Sequence, residues 1–220
     1  MENNKSEKNL EIEYKFLIDK EKFFKYLDEL SFDGDAIKFN YQRILQGYLS
    51  TDPLNTIRVR SVMDVAVTKK GNDYSETLIS SSGFLTKKQK QITIGGVLGD
   101  GTLFNSPVVN IENEVKISYE SAEESMANQC MVGTHSEPLL VSKIRFTVKA
   151  PDGNVWEVDE FLGNNSGLYV AELEVPNLQH KFEKPEWVLE DVSLDRRFAN
   201  SALAMNPFKK WKHEVFFTGR

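Results

Sequence analysis

Alternation, rather than long apolar runs, dominates this chain. Residues 9–18, 41–50, 56–62, 109–118, 139–149, 155–161 and 169–175 place apolar and polar side chains at every second position, the signature of strands with two different faces. Between the first two strands, Phe23, Phe24, Leu27 and Leu30 recur at helical spacing, with Asp19 placed to cap a helix over 20–30. A second helix is expected over about 120–130, where the start is rich in Glu. Asp152-Gly153 marks a hairpin between 139–149 and 155–161. Thr51-Asp52-Pro53 marks a turn ahead of 56–62, and 65–71 is expected to be the hairpin partner of that strand, ending at Gly71. The segment 72–108 is less regular, with strand-like pieces at 76–79, 84–88 and 91–94, and reads as an extended hairpin or loop insertion. Near the C-terminus, Asp195 caps an expected helix through Ala204 that Asn206-Pro207 interrupts.

The polar faces of these strands are unusual. Glu11-Ile12-Glu13-Tyr14-Lys15 puts two carboxylates and an ammonium on one side and Ile12, Tyr14 and Phe16 on the other. The same charge–x–charge grammar recurs at Arg58/Arg60, Glu112/Glu114, Lys143/Arg145, Glu157/Asp159 and Glu172/Glu174. A single such triplet is ordinarily the solvated face of a sheet. Six in one chain point instead to strands that turn charge inward, toward a polar site. The fold class expected is α+β: an eight-stranded closed antiparallel β-barrel, a tunnel, with helices packed outside.

Composition narrows the setting. With 220 residues, 40% hydrophobic and 27% charged, and without a Pro/Gly/Ser-rich linker, residues 1–220 read as one soluble domain. No apolar run approaches membrane-spanning length. A lone cysteine, Cys130, excludes an internal disulfide and makes a reducing cytoplasm the expected location. A net charge of −6 argues against nucleic acid as a partner, but not against a small polyanion held in a locally basic cleft.

Paired carboxylates suit hard divalent cations such as Mg²⁺ or Mn²⁺, while Arg and Lys suit phosphate oxygens. Glu11/Glu13 and Glu172/Glu174 supply the first set from two strands, and the basic triplets supply the second.

At these residues the chain resembles the triphosphate tunnel metalloenzyme (CYTH) superfamily. The E-x-E-x-K hallmark is matched by Glu11, Glu13 and Lys15. Gly47-Tyr48-Leu49, Arg58/Arg60, Thr68-Lys69-Lys70-Gly71, Glu112/Glu114, Lys143/Arg145, Trp156-Glu157-Val158-Asp159 and Ala171-Glu172-Leu173-Glu174 then follow in family order. Asp191-Val192-Ser193, Arg197-Phe198 and Asn200 complete the resemblance. It implies that Glu11, Glu13, Asp159, Glu172 and Glu174 hold metal. Lys15, Arg58, Arg60, Lys70, Lys143 and Arg145, with Glu112 and Glu114, form the substrate site. The residues expected to act in catalysis are Glu11, Glu13, Lys15, Arg58, Arg60, Lys143 and Arg145. Two departures stand out: 84–88 (FLTKK) competes with Lys70 for the T-x-K position, and Lys116 occupies a place often acidic in the family.

The implied activity is Mg²⁺- or Mn²⁺-dependent hydrolysis of inorganic triphosphate to pyrophosphate and phosphate. Class IV-type adenylate cyclase and thiamine triphosphatase are the enzymatic alternatives, and a non-catalytic polyphosphate- or nucleotide-binding module is the third. The expected partner is a small triphosphate or polyphosphate; a homodimer is left open. His135, His180 and His213 lack metal-ligand spacing, and Trp156 and Trp187 read as packing residues.

Overall fold

A computed structural model of the chain describes residues 10–52, 54–90, 96–97, 103–104, 108–130 and 138–215. Its elements, in order, are β1 (Leu10–Ile18), α1 (Lys20–Leu30), β2 (Phe32–Asp33), β3 (Ala36–Asp52), β4 (Asn55–Lys70), β5 (Asp73–Lys90), β6 (Gly96–Val97), β7 (Leu103–Phe104), β8 (Val108–Ile117), α2 (Tyr119–Gln129), β9 (Leu140–Lys149), β10 (Val155–Phe161), β11 (Tyr169–Glu174), β12 (Val188–Asp191) and α3 (Asn200–Met205). Pro53, the strand-like piece at 91–94 and His135 lie outside the described residues.

Eight strands close on themselves. The neighbour order β11-β10-β9-β3-β4-β5-β8-β1 is completed by pairing of β1 with β11, and every pairing is antiparallel. Closure leaves no free edge in the ring itself, which is how an all-antiparallel sheet hides its backbone donors and acceptors. The expected eight-stranded tunnel with helices outside is what the structure contains.

Apolar side chains on the outward faces are covered there, while Leu17, Val141, Phe161 and Val170, which share the inward faces of Lys15, Lys143, Asp159 and Glu172, pack with Leu203, Phe208 and Trp211. Ile12 and Phe16 of β1, Phe146 and Val148 of β9, Trp156 and Val158 of β10 and Leu173 of β11 join Phe23 and Leu27 of α1 and Trp187 in the largest buried cluster. Trp156 and Trp187 meet edge to face at 5.5 Å, the packing role expected of them. Helix α1 starts where the sequence places it, with the Asp19 side chain accepting from the Lys22 N–H at 3.0 Å. Helix α2 lies against Val59 of β4 through Ala122 and Met126. Its close approach requires Gly83: a Cβ there would come within 2.3 Å of the Ser118 carbonyl oxygen.

Two sequence expectations are corrected. Residues 56–62 and 65–70 are not the two arms of a hairpin but parts of one strand, β4, sixteen residues long, with Gly71 in the turn after it. Nothing in Met63-Asp64 forces a turn, so the alternation simply continues. The hairpin partner is β5, paired with β4 from Asn55↔Gln89 to Lys70↔Asp73. Much of the irregular stretch is therefore strand, and Ser80-Ser81-Ser82-Gly83 sits within β5. The expected helix from Asp195 is also shorter: Asp195 caps a 3₁₀ turn, Arg196–Phe198, and α3 follows from Asn200.

Candidate functional site in the tunnel

Because side chains alternate, the register fixes which residues share the tunnel interior. Across β1 and β11, Glu13 faces Glu174 and Lys15 faces Glu172. Glu172 in turn faces Glu157 on β10. On the other side, Arg58 faces Thr86 and Thr56 faces Lys88 across β4 and β5, while Lys88 faces Glu112 on β8. These side chains line one cavity of about 950 Å³, whose charged wall comprises Glu11, Glu13, Glu112, Glu157, Glu172 and Glu174 with Lys15, Arg58, Arg60, Lys88 and Arg145. Residues 193–196, 199–202 and Met205 cover one flank.

The charges are interleaved rather than sorted into one cationic and one anionic wall. Lys88 Nζ lies 2.7 Å from Glu11 and 2.7 Å from Glu112, and Arg58 lies 3.5 Å from Glu112. Arg60 binds Glu114, and Lys15 binds both Glu13 and Glu172. Arg145 donates to Asp159 through Nε at 2.7 Å and Nη2 at 2.6 Å, reaches Glu172 at 2.5 Å, and pairs with Glu157.

Burial and charge compete at each group. Burial raises the Glu13 carboxyl above the ordinary range, Glu172 adds to the rise, and Lys15 only partly offsets it. Burial, then Glu11, Glu13 and Glu157, raise Glu174 as well. Burial works against the charge on Glu172, but Lys15, Arg145 and Lys143 outweigh it and hold this carboxylate well below its usual value. Burial likewise opposes the charge on Lys15, but Glu13 and Glu172 more than compensate and raise it. Arg60 is lowered by burial and by Arg58. Both Arg58 and Arg60 retain a buried Nε–H with no acceptor among the described residues.

The structure brings Glu11, Glu13, Lys15, Arg58, Arg60, Glu112, Arg145, Glu172 and Glu174 together in the cavity. It does not bring Lys70 there. That side chain is 61% exposed at the far end of β4, where it pairs with Asp35. Lys88, from the competing Thr86-Lys87-Lys88 match, occupies the cavity instead. Nor do Lys143 and Asp159 reach it. They are 1% and 0% exposed, joined to each other, with Arg145 as their link to the site. Glu114 sits behind Arg60 and accepts from Thr86 at 2.7 Å. Lys116, opposite Phe84, is exposed at the far rim. Glu157, Asn110, Thr51 and Thr56 line the cavity without having been singled out as site residues, and Glu157 had its signal in the Glu157/Asp159 alternation. His180 donates through Nε2 to the Asn154 side-chain oxygen at 2.7 Å in the loop region, and His213 is exposed. Cys130 is half-buried beside Gly47, with its thiol pushed up by burial.

No family model matches the chain. It is 32% identical over 181 residues to an inorganic triphosphatase of Acetivibrio thermocellus, a match spanning 81% of this chain and 92% of the relative. The chain belongs to the triphosphate tunnel metalloenzyme superfamily. A second relative in this superfamily, an inorganic triphosphatase of Nitrosomonas europaea, is 29% identical over 163 residues, covering 73% of this chain and 83% of the relative. A solved inorganic triphosphatase structure superposes with a TM-score of 0.42 at 23% identity, covering 89% of this chain and 94% of that one.

Among the described residues, the cavity lining has oxygen donors for a metal and neither His nor Cys. Among the described residues no three acidic, histidine or cysteine side chains converge on one point. What exists is an acidic sector, Glu11, Glu13, Glu172 and Glu174, in which Glu13 directly faces Glu174 across the sheet. Opposed carboxylates repel, and their raised proton affinity marks a place where added positive charge is favoured. The donor type and the charge excess both fit a hard divalent cation. Among the described residues, no helix is long and apolar enough to cross a membrane.

Proposed function

We propose that the chain is a metal-dependent hydrolase of inorganic triphosphate, releasing pyrophosphate and phosphate, with Mg²⁺ or Mn²⁺ as its cation. The observation that carries this reading is the pair of buried, unsatisfied Nε–H donors on Arg58 and Arg60, in the same cavity as the crowded carboxylates. A buried donor without an acceptor is costly, so a site that keeps two is completed by an anion.

Arg58, Arg60 and Lys88 hold non-bridging oxygens of the chain of phosphates, the guanidiniums through their forked donors. Lys15 and Arg145 bear on it from the β1 and β9 side. Glu11, Glu13, Glu172 and Glu174 would hold the divalent cation, which when bound neutralises the charge of the transferring phosphoryl group. Lys143 and Asp159 fix Arg145 from behind. Ligand entry exchanges partners rather than creating charge: Arg58 releases Glu112, Arg60 releases Glu114, and both turn to phosphate. Water attacks the terminal phosphorus, a new P–O bond forms, and the bridging P–O bond breaks with pyrophosphate leaving, one proton of the water passing to the oxygen of the leaving pyrophosphate. No protein nucleophile is required, and Cys130 lies outside the ring.

The test is a panel of tripolyphosphate, ATP and thiamine triphosphate assayed with Mg²⁺, Mn²⁺ and EDTA. Metal-dependent turnover with tripolyphosphate preferred is the expected result. Cyclic AMP from ATP would reassign the reaction, and binding without turnover would reduce the protein to a polyphosphate-binding module.

A further inference from the structure

The second half of the β4–β5 hairpin has no part in the cavity. Strand β8 pairs with β5 only as far as Ile117↔Gly83. Residues 73–82 are bonded to β4 on one side and to no described strand on the other. Residues 71–81 are exposed throughout, and Leu78 and Ile79 are 59% and 56% exposed. Proteins ordinarily blunt such an edge with Lys or Pro, and the sequence DYSETLISSS has neither.

We propose that this edge is a self-association surface, on which two copies of the chain pair antiparallel across a two-fold axis, Thr77 of each facing the partner's Leu78. Three features favour a second copy over a foreign strand. The open slot runs from the hairpin turn at 71–72 to the end of β8, so it matches the length of the same segment running the opposite way. In that register Asp73 meets the partner's Ser82 and Glu76 meets the partner's Ile79, so no two carboxylates oppose each other. The hairpin tip, carrying Lys70, then arrives beside the first turn of the partner's α2, a helix with three Glu and no Lys or Arg. An isologous contact of this kind closes on itself as a dimer instead of growing into a fibre.

The experiment is sedimentation equilibrium of the full chain, with hydrogen exchange read at low and high protein concentration. The wild type is expected at twice the protomer mass, with amides in 73–82 protected only at high concentration. Leu78→Lys and Ile79→Lys together, both at exposed positions, should raise the dimer dissociation constant by at least about a hundredfold. Triphosphate hydrolysis should stay unchanged, since neither residue is in the tunnel, and raised salt should weaken the wild-type dimer. A wild type that stays monomeric overturns the proposal. So does a dimer that survives the double substitution, and so does protection of 73–82 that does not depend on concentration, which would mean that the chain covers its own edge.

Discussion

Strands β4 and β5 pass through two environments, and the same alternation has opposite consequences in each. In residues 55–62 and 83–90 the ring is closed, and the inward side chains Arg58, Arg60, Thr86 and Lys88 find carboxylates within reach on β1 and β8. In residues 63–82 the hairpin has outrun the ring. There the same face carries Asp64, Thr68, Ser75, Thr77 and Ser80, and Lys70 at its end is held by Asp35 rather than by the tunnel. Enclosure, not sequence pattern, turns a charged strand face into a site: low-dielectric walls make each charge costly unless paired, and so make each pair available for exchange with a ligand.

The largest effect should come from the acid sector of the enclosed half. Glu172→Gln keeps the shape of the side chain but removes charge, and kcat should fall by about two orders of magnitude or more. Near-normal turnover in this variant would detach Glu172 from the chemistry. Next come the basic residues. Arg58→Ala and Lys88→Ala should each lower kcat/KM for tripolyphosphate by about ten- to a hundredfold, while Mn²⁺ affinity without substrate is kept or slightly improved.

Lys143 sharpens the comparison through stability. Burial, then Arg145, push its ammonium down to about 8 against the partial compensation of Asp159. An unfolded lysine titrates near 10.5, so between these values the unfolded state holds more protons and stability rises with pH; below the folded value the full penalty of the buried charge is present. Urea titrations should therefore show wild-type stability gaining on Lys143→Met between pH 8 and 10.5, by roughly 1–3 kcal/mol. A difference that is flat with pH would mean that Lys143 is not desolvated. The smallest effect belongs to the open half: Lys70→Ala should leave kcat/KM within about twofold of wild type. A tenfold loss there would return Lys70 to the site.

Much of this was legible in the sequence because a strand's period of two is insensitive to context. Glu11, Glu13, Lys15, Arg58, Arg60, Arg145, Glu172 and Glu174 all face the cavity as their spacing predicts. Distance along the strand was not legible. Lys70 is ten residues beyond Arg60 in one unbroken strand, roughly 33 Å at about 3.3 Å per residue, too far to share a triphosphate. Reading a hairpin at 56–71 folded that distance away, and it hid Lys88 in what looked like an insertion. Depth was not legible either. Lys143 and Asp159 point inward as expected, yet they sit beneath Arg145, because alternation gives a face and says nothing of who closes over it.

The most direct test is a crystal soaked with Mn²⁺ and tripolyphosphate, with manganese located by anomalous scattering. The account predicts phosphate density on Arg58, Arg60 and Lys88, and a manganese peak within coordination distance, about 2.0–2.2 Å, of carboxylates from the set Glu11, Glu13, Glu172 and Glu174. Polyphosphate bound on the open half near Lys70, or a tunnel that takes up neither ion, would contradict it.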